Sequence, residues 1–277
     1  MNASCDALPG LTTVTNDHWM QPVASVRGRH PRIRNHRSRE RWRQDAGVAF
    51  TLGEITLARQ YLTRALALAP ADPDVLFLEG NLALQEGDAA SALASFARAE
   101  AMGADSPELH YNTGLAHLFL GDAAHADEVF SRLVEAQPTH QRAWDGLGCA
   151  RRLRRDHHGA ITAFLRALQV DPGLNDARDH LGQLLLETGN ARHAIQVLDA
   201  ALVIDPLRAG SRHLLAMAHA MVQEYAEAIR HWEELLARDE LPTEALQMLA
   251  NAYLHLEDKP CARAMLELLL ARDPNHI

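Results

Sequence analysis

One residue type returns at a constant interval along almost the whole chain. An alanine occurs at the same position of every period, without insertion or deletion, at Ala58, Ala92, Ala126, Ala160, Ala194, Ala228 and Ala262. A fixed period of about 34 residues is typical of a solenoid, in which each unit buries its apolar face against its neighbours. The sequence therefore predicts seven copies of one unit, which begin near residues 39, 73, 107, 141, 175, 209 and 243.

Each unit has the pattern of two helices joined by a short turn. In the second unit, Pro73 stands where a first helix would begin, and apolar residues follow at helical spacing. Gly87 and Asp88 interrupt this pattern, and a second helix follows with Ala92 and Phe96 on one face. Small residues recur where two helices cross closely, because a larger side chain would push the backbones apart. Nothing in the sequence indicates a strand, so the expected fold class is all-α.

This pattern resembles the tetratricopeptide repeat (TPR) family. The fourth unit carries the family signature except for its tyrosine, which is Arg151 here, and the matching residues are Trp144, Leu147, Gly148, Ala160, Phe164, Ala167 and Pro172. The resemblance covers residues 39–274 and implies a right-handed superhelical solenoid of seven TPR hairpins with a concave groove lined by the first helices. It also implies a non-catalytic scaffold or adaptor that binds a peptide or protein element in the groove. The fold itself does not specify which partner is bound.

The register of the hairpins predicts which side chains line that groove. The expected partner-binding residues are Phe77, Asn81, Leu84, Tyr111, Asn112, Leu115, Leu118, Arg142, Asp145, Asp179, Gln183, His213, Met217 and Asn251, and Cys149 and Asp176 belong to the same wall. We expect Phe77 and Tyr111 to be exposed anchors outside the core, because aromatic rings in a concavity are typical contacts for a bound peptide.

One binding mode of the family can be compared position by position. TPR domains that capture the C-terminal carboxylate of heat-shock chaperones use two asparagines and three basic residues over three units, with charge-assisted hydrogen bonds. Asn81, Asn112 and Arg142 match three of these positions, whereas Phe77 and Gly146 replace the other two basic residues. We therefore expect no tight carboxylate grip.

The N-terminal segment differs in charge from the repeats. Residues 27–43 contain eight arginines, so that positions 1–43 carry a net charge of +5 and the remaining chain carries −14. We expect residues 1–38 to form a disordered basic arm, because prolines and glycines interrupt it and it lacks the apolar content to fold. The alternative is that the arm contacts an anion. The acidic repeats argue against nucleic-acid binding, which needs positive charge along the binding surface.

No catalytic or metal-binding motif is evident in the sequence. It contains no glycine-rich phosphate loop and no nucleophile elbow, so we expect no enzymatic activity and no cofactor. The three cysteines are few and widely separated, which argues against a disulfide framework or a zinc site. The adjacent His157 and His158 cannot easily face one cation, and their arginine neighbours would repel it. We therefore expect no metal site.

The apolar segments and the composition of the chain lead to expectations about its location and source. No segment has the apolar length of a transmembrane helix or a signal peptide, so we expect a cytoplasmic protein without a membrane span. A composition rich in alanine and arginine, with Lys259 as the single lysine, favours a bacterial source.

After the last second helix only residues 273–277 remain, too few for a capping helix. We expect an exposed face with Leu266 and Leu270 that is covered by a partner, a second copy or a further domain.

Two other functions stay open beside the scaffold. The chain could be the recognition region of a larger or multi-chain enzyme of the sulfotransferase or glycosyltransferase type. It could also be a self-assembling structural protein that stacks through its last hairpin.

Overall fold

The computed structural model describes the backbone of residues 31–274 and the side chains of residues 40–274. Within that range the chain forms fourteen α-helices and no strand, which confirms the all-α expectation. The helices divide into two compact units, one that ends at Pro138 and one that begins at Thr139. None of the described helices is long and apolar enough to cross a membrane.

The first unit contains three helical hairpins. Its helices are α1 (Pro31–Thr51), α2 (Ile55–Leu68), α3 (Pro73–Gln85), α4 (Ala89–Ala101), α5 (Pro107–Phe119) and α6 (Ala123–Ala136). Each odd-numbered helix packs against the even-numbered helix that follows it, and α3 also contacts α1 and α5. The first helices of successive hairpins are therefore neighbours in this unit.

The second unit contains four hairpins. Its helices are α7 (Gln141–Leu153), α8 (His157–Val170), α9 (Asn175–Glu187), α10 (Ala191–Ile204), α11 (Ala209–Met221), α12 (Tyr225–Ala237), α13 (Thr243–His255) and α14 (Lys259–Arg272). The pairing within hairpins is the same as in the first unit, and α9 also contacts α7 and α11. From α2 onward, equivalent helices begin at the constant interval that the alanine spacing predicts.

The first helix is longer than the sequence predicts. It begins at Pro31, so residues 31–38, which are predicted to belong to a disordered arm, are helical. Proline is favourable in the first turn of a helix, where its missing N–H has no intrahelical partner to lose. Pro31 therefore begins a helix here instead of interrupting one. The remainder of the predicted arm, residues 1–30, lies outside the described residues.

In four hairpins, a glycine of the first helix faces a large side chain of the second helix. A Cβ atom added to Gly148 would lie 2.4 Å from the Cε1 atom of Phe164, and the same conflict recurs between Gly80 and Phe96. The two phenylalanines are fully buried. Contacts under 3 Å of this kind force the neighbouring side chain to move, so glycine lets the aromatic ring sit against the backbone of the first helix. The recurrence of glycine in the sequence thus has a packing cause.

Candidate partner-binding faces

In the first unit, two asparagines meet on the face formed by the first helices. Asn81 lies on α3 and Asn112 on α5, and both side chains are half-buried. The Nδ2 atom of Asn112 donates a hydrogen bond to Oδ1 of Asn81 at 2.7 Å. This bond uses one donor of the pair and one acceptor lone pair. The Asn81 NH₂ group and the Asn112 carbonyl oxygen retain the capacity to donate to and accept from another molecule.

Two aromatic rings flank this asparagine pair. The ring centroids of Phe77 and Phe96 are 5.9 Å apart, and those of Tyr111 and Phe130 are also 5.9 Å apart. Phe77 and Tyr111 are half-buried, because each leans on a phenylalanine that is fully buried in its own hairpin. The two rings are therefore less exposed than the sequence predicts, although neither belongs to the buried core. Each ring presents one part to solvent and contributes the rest to packing.

In the first unit, two of the predicted contact residues are buried. Leu84 is 5% exposed and Leu118 is 3% exposed, and Leu84 belongs to the same core cluster as Phe96. Both leucines lie near the C-terminal end of a first helix, where the chain is about to reverse into the second helix of the hairpin. Their side chains therefore pack inside the hairpin and are not available to a partner. Leu115, one turn earlier than Leu118, is half-buried.

In the second unit, Asp179 is part of a buried ion pair. Its Oδ2 atom accepts a hydrogen bond from Nε of Arg208 at 2.7 Å, and the Ser211 hydroxyl donates to its other oxygen. Arg208 also bonds the carboxylate of Asp176. Burial raises the pKa of the Asp179 carboxyl, while the bonds from Ser211 and Arg208 oppose this shift. Asp179, predicted to contact a partner, instead links α9 to the start of α11.

The other predicted residues of the second unit differ in exposure. Arg142 and Asn251 are exposed, whereas Asp145, Gln183 and Met217 are intermediate. The half-buried His213 accepts a hydrogen bond at Nδ1 from the indole Nε1 of Trp232 at 3.1 Å. Burial lowers the pKa of His213. On this face, the side chains most accessible to a partner are therefore Arg142 and Asn251, with parts of Gln183 and Met217.

The structure also brings together two groups of side chains that are not predicted from the sequence. The half-buried Asp145 lies close to the buried Cys149 and His180 in the second unit. The Nδ1 atom of His180 lies 2.8 Å from Oδ1 of Asp145 and 3.5 Å from Sγ of Cys149. Burial acts to lower the pKa of His180, but Cys149 and the Asp145 carboxylate outweigh it, so the pKa of His180 is raised well above its ordinary value.

A second group lies at the turn of the third hairpin. Asp122 Oδ2 is 2.7 Å from Nδ1 of His125 and 3.3 Å from Nδ1 of His117. Asp122 also caps α6, since its other carboxylate oxygen accepts from the backbone N–H of His125. That backbone bond is the main cause of the lowered pKa of Asp122.

Neither group is predicted from the sequence, because a sequence pattern describes each histidine position separately and does not show which side chains meet. For the group at His180, one usable signal exists. Asp145 and Cys149 are one helical turn apart on a predicted first helix, which places a carboxylate and a thiol on one face. The third member comes from the first helix of the next hairpin, and no local spacing indicates it.

Solved structures with a similar fold include several repeat proteins. A tetratricopeptide repeat protein from Parabacteroides merdae ATCC 43184 aligns with a TM-score of 0.66 and 18% identity, over 86% of this chain and 94% of that chain. A chain of the APC/C hetero-tetramer Cut9–Hcn1 aligns with a TM-score of 0.69 and 18% identity, over 79% of this chain and 44% of that chain. YrrB, a TPR protein with an unusual peptide-binding site, aligns with a TM-score of 0.51 and 22% identity, over 62% of this chain and 89% of that chain.

At these identities the structural likeness shows the fold alone, and this chain spans less than half of the Cut9–Hcn1 chain that it resembles. A comparison with curated proteins found no match. The family model described as Tetratricopeptide repeat matches residues 46–107, 77–141, 111–175, 146–209 and 213–277. These matches cover most of the seven hairpins, and the chain belongs to the tetratricopeptide repeat family.

Proposed function

We propose that this protein is a non-catalytic scaffold or adaptor that binds a peptide or an extended protein segment on the first-helix faces of its hairpins. Proteins with tetratricopeptide repeats generally mediate protein–protein interactions, and the structural relative YrrB carries a peptide-binding site. The chain's membership of the family supports the general role. The choice of surface depends on the geometry of the first unit.

The observation that carries this proposal is the asparagine pair of α3 and α5. An extended peptide presents C=O acceptors and N–H donors along its backbone, and an asparagine amide can bond both. The pair formed by Asn81 and Asn112 keeps donors on one residue and an acceptor on the other. The partly exposed rings of Phe77 and Tyr111 lie on the same helices and offer apolar contact for the peptide's side chains.

The test uses a random peptide library displayed on phage and selected on the intact protein. Selected peptides are then measured by fluorescence anisotropy against the wild type and the double variant Asn81→Ala/Asn112→Ala. Loss of two hydrogen bonds should weaken binding about tenfold or more, since each contributes about 0.5–1.5 kcal/mol. The matched control is Gln60→Ala, which removes an exposed amide from α2 in the same unit and should leave the affinity unchanged.

Equal affinities for the wild type and the double variant would contradict the proposed surface. Circular dichroism separates this outcome from misfolding, because both variants should retain the wild-type helical signal. The absence of enzymatic activity, the cytoplasmic location and the bacterial source that we expect from the sequence stay predictions.

A second proposal is self-association through α14. Leu266 is 39% exposed, and Leu270 is 52% exposed. The residues equivalent to Leu266 in the other hairpins are all buried, and they are Leu62, Phe96, Phe130, Phe164, Leu198 and Trp232. In the other hairpins the large apolar side chain at this position packs inside the repeat. The exposure of Leu266 on α14 therefore favours a contact in which another protein surface covers it. We propose a second copy of the chain as that surface.

A further inference from the structure

Three side chains with different metal-binding atoms converge in the second unit. Asp145 and Cys149 lie one helical turn apart on α7, so their side chains share one face of that helix. His180 projects from α9, the first helix of the next hairpin, which contacts α7. We infer that Asp145, Cys149 and His180 form a binding site for one thiophilic divalent cation, with Zn²⁺ the best fit.

The repeat fold does not require these residue types. In the next hairpin, the positions equivalent to Asp145 and Cys149 are Asp179 and Gln183, and the position equivalent to His180 is Leu214. That set contains one ligand type where the proposed site has three. The convergence of thiol, imidazole and carboxylate is therefore a property of this one pair of hairpins.

The distances suit a small tetrahedral ion. Zn–S bonds of about 2.3 Å and Zn–N or Zn–O bonds of about 2.0–2.2 Å place neighbouring ligand atoms about 3.3–3.6 Å apart in a tetrahedral site. The 3.5 Å separation of His180 Nδ1 from Cys149 Sγ already has this value. The 2.8 Å separation of His180 Nδ1 from Asp145 Oδ1 would have to widen by about half an ångström, within reach of a carboxylate rotation. All three donor atoms lie within 4.8 Å of one another.

The hydrogen bonding of His180 also favours an ion. Its Nε2 atom is buried and has no hydrogen-bond partner among the described residues, so the polar contacts of this ring lie at Nδ1. Nδ1 carries at most one proton, whereas both the carboxylate and the sulfur approach it. A single proton on Nδ1 cannot be donated fully to both the carboxylate and the sulfur, whereas one cation could contact all three atoms at once.

The donor set and burial indicate which ion would bind. A thiolate, a neutral imidazole and a carboxylate are the three ligand types of zinc, and the sulfur disfavours Mg²⁺ and Ca²⁺, which prefer oxygen. The two negative ligands would neutralise a divalent charge in a site where Cys149 is 4% and His180 is 6% exposed. Asp145 is the more exposed ligand and marks the side from which an ion would enter.

The test uses Co²⁺ as a spectroscopic probe in the full chain. The background variant is Cys5→Ser/Cys261→Ser, in which Cys149 is the single thiol. We expect one Co²⁺ per chain, a thiolate-to-cobalt charge-transfer band, and loss of both when Zn²⁺ is added in equal amount. Adding Cys149→Ser should remove the band, and adding Asp145→Asn or His180→Gln should weaken Co²⁺ binding about tenfold or more.

The control variant is His125→Gln, which disrupts the group of His117, Asp122 and His125 and should leave the charge-transfer band unchanged. If the Cys149→Ser variant fails to fold by circular dichroism, X-ray absorption of the zinc-loaded background protein replaces it and should show one sulfur ligand at about 2.3 Å. Absence of the band in a folded background protein, or a zinc ion without a sulfur ligand, would overturn the inference. In that case the three side chains form a hydrogen-bonded group only.

Discussion

At the residue scale, one turn position in the hairpins imposes a backbone conformation that most residues avoid. Positive φ angles occur in the turn between the two helices, at the equivalent position of every hairpin, at Gly53, Gly87, Gly121, Arg155, Gly189, Gln223 and Glu257. The left-handed conformation costs a residue with a Cβ atom roughly 1–2 kcal/mol, whereas glycine adopts it freely. The turn geometry is therefore the same in all seven hairpins, although Arg155, Gln223 and Glu257 replace the glycine that favours this conformation.

The first prediction concerns this turn position. Gln223 is exposed and has a φ of 65°, so Gln223→Gly should raise the free energy of unfolding by about 0.5–1 kcal/mol, after the larger entropy of glycine in the unfolded chain is subtracted. The reverse substitution Gly189→Gln at the equivalent position of the preceding hairpin should lower it by a similar amount. Urea unfolding measures both. A destabilised Gln223→Gly variant would contradict the strain argument.

The second prediction concerns the packing of glycine against phenylalanine. A Cβ atom on Gly114 would lie 2.6 Å from Cζ of Phe130, so Gly114→Ala should destabilise the protein by about 1–3 kcal/mol. Gly47, on α1 in the same unit, has nothing within 4 Å of the equivalent point. Gly47→Ala should therefore stabilise the protein by about 0.5–1 kcal/mol through the helix preference of alanine. Thermal unfolding of both variants checks the contrast, and shifts of the same sign would refute it.

At the scale of the helical elements, α11 and α12 enclose a histidine among positive groups. His231 on α12 is 6% exposed, stacks on His219 with ring centroids 5.6 Å apart, and lies beside Arg212 and Arg230. Burial first, and then these positive neighbours, lower the pKa of His231 to about 4, although Glu227 acts in the opposite direction. The packing of these two helices therefore depends on a neutral imidazole.

The third prediction follows from this lowered pKa. In the unfolded chain His231 has a pKa of about 6.5, so that between pH 6.5 and about 4 the unfolded state binds a proton that the folded state does not. Above pH 6.5 His231 is neutral in both states and the stability is fully present. As the pH falls from 6.5 to about 4, protonation of His231 in the unfolded state should reduce the free energy of unfolding by about 1–3 kcal/mol.

Unfolding by urea at pH 7.5 and pH 4.5 measures this dependence. The stability lost between these two values should be smaller in His231→Gln than in the wild type, because glutamine does not titrate. His193→Gln replaces an exposed histidine of α10 and should lose as much stability as the wild type. An equal loss in the wild type and His231→Gln would show that other groups govern the acid response.

At the scale of the whole molecule, the fourth prediction concerns the exposed leucines of α14. If a second copy covers Leu266 and Leu270, analytical ultracentrifugation should show a concentration-dependent dimer or larger assembly of the wild type. The double variant Leu266→Glu/Leu270→Glu should be monomeric at the same concentrations, because two carboxylates cannot be buried in an apolar contact. The control Leu207→Glu changes an exposed leucine outside the helices and should leave the assembly unchanged. A monomeric wild type at high concentration would rule the proposal out.

The sequence predicts the fold well because the information is periodic. The constant interval from Ala58 to Ala262 defines the hairpins, and residues such as Pro73 mark where helices begin, so the tetratricopeptide fold follows from local patterns. The periodicity assigns a residue to a helix and a face. It does not determine how deeply Leu84 is buried at the end of that helix, because this depends on the path of the next helix.

The details of the candidate sites depend on contacts between hairpins. Asn81 and Asn112 are both predicted to lie on the binding face, but their hydrogen bond requires two side-chain rotamers that the sequence does not specify. The group of Asp145, Cys149 and His180 forms only when α7 packs on α9. A spacing rule for metal ligands on a single helix finds two of its members and misses the third.

The unbroken interval between the repeated alanines also affects how the gene can change. If a segment of one full period is deleted within the repeats, the two new neighbours occupy equivalent positions of the helical hairpin, wherever the deletion begins. A duplication of the same length preserves the register in the same way. Unequal recombination by one full period would therefore add or remove a whole hairpin and keep the helices in register at the junction.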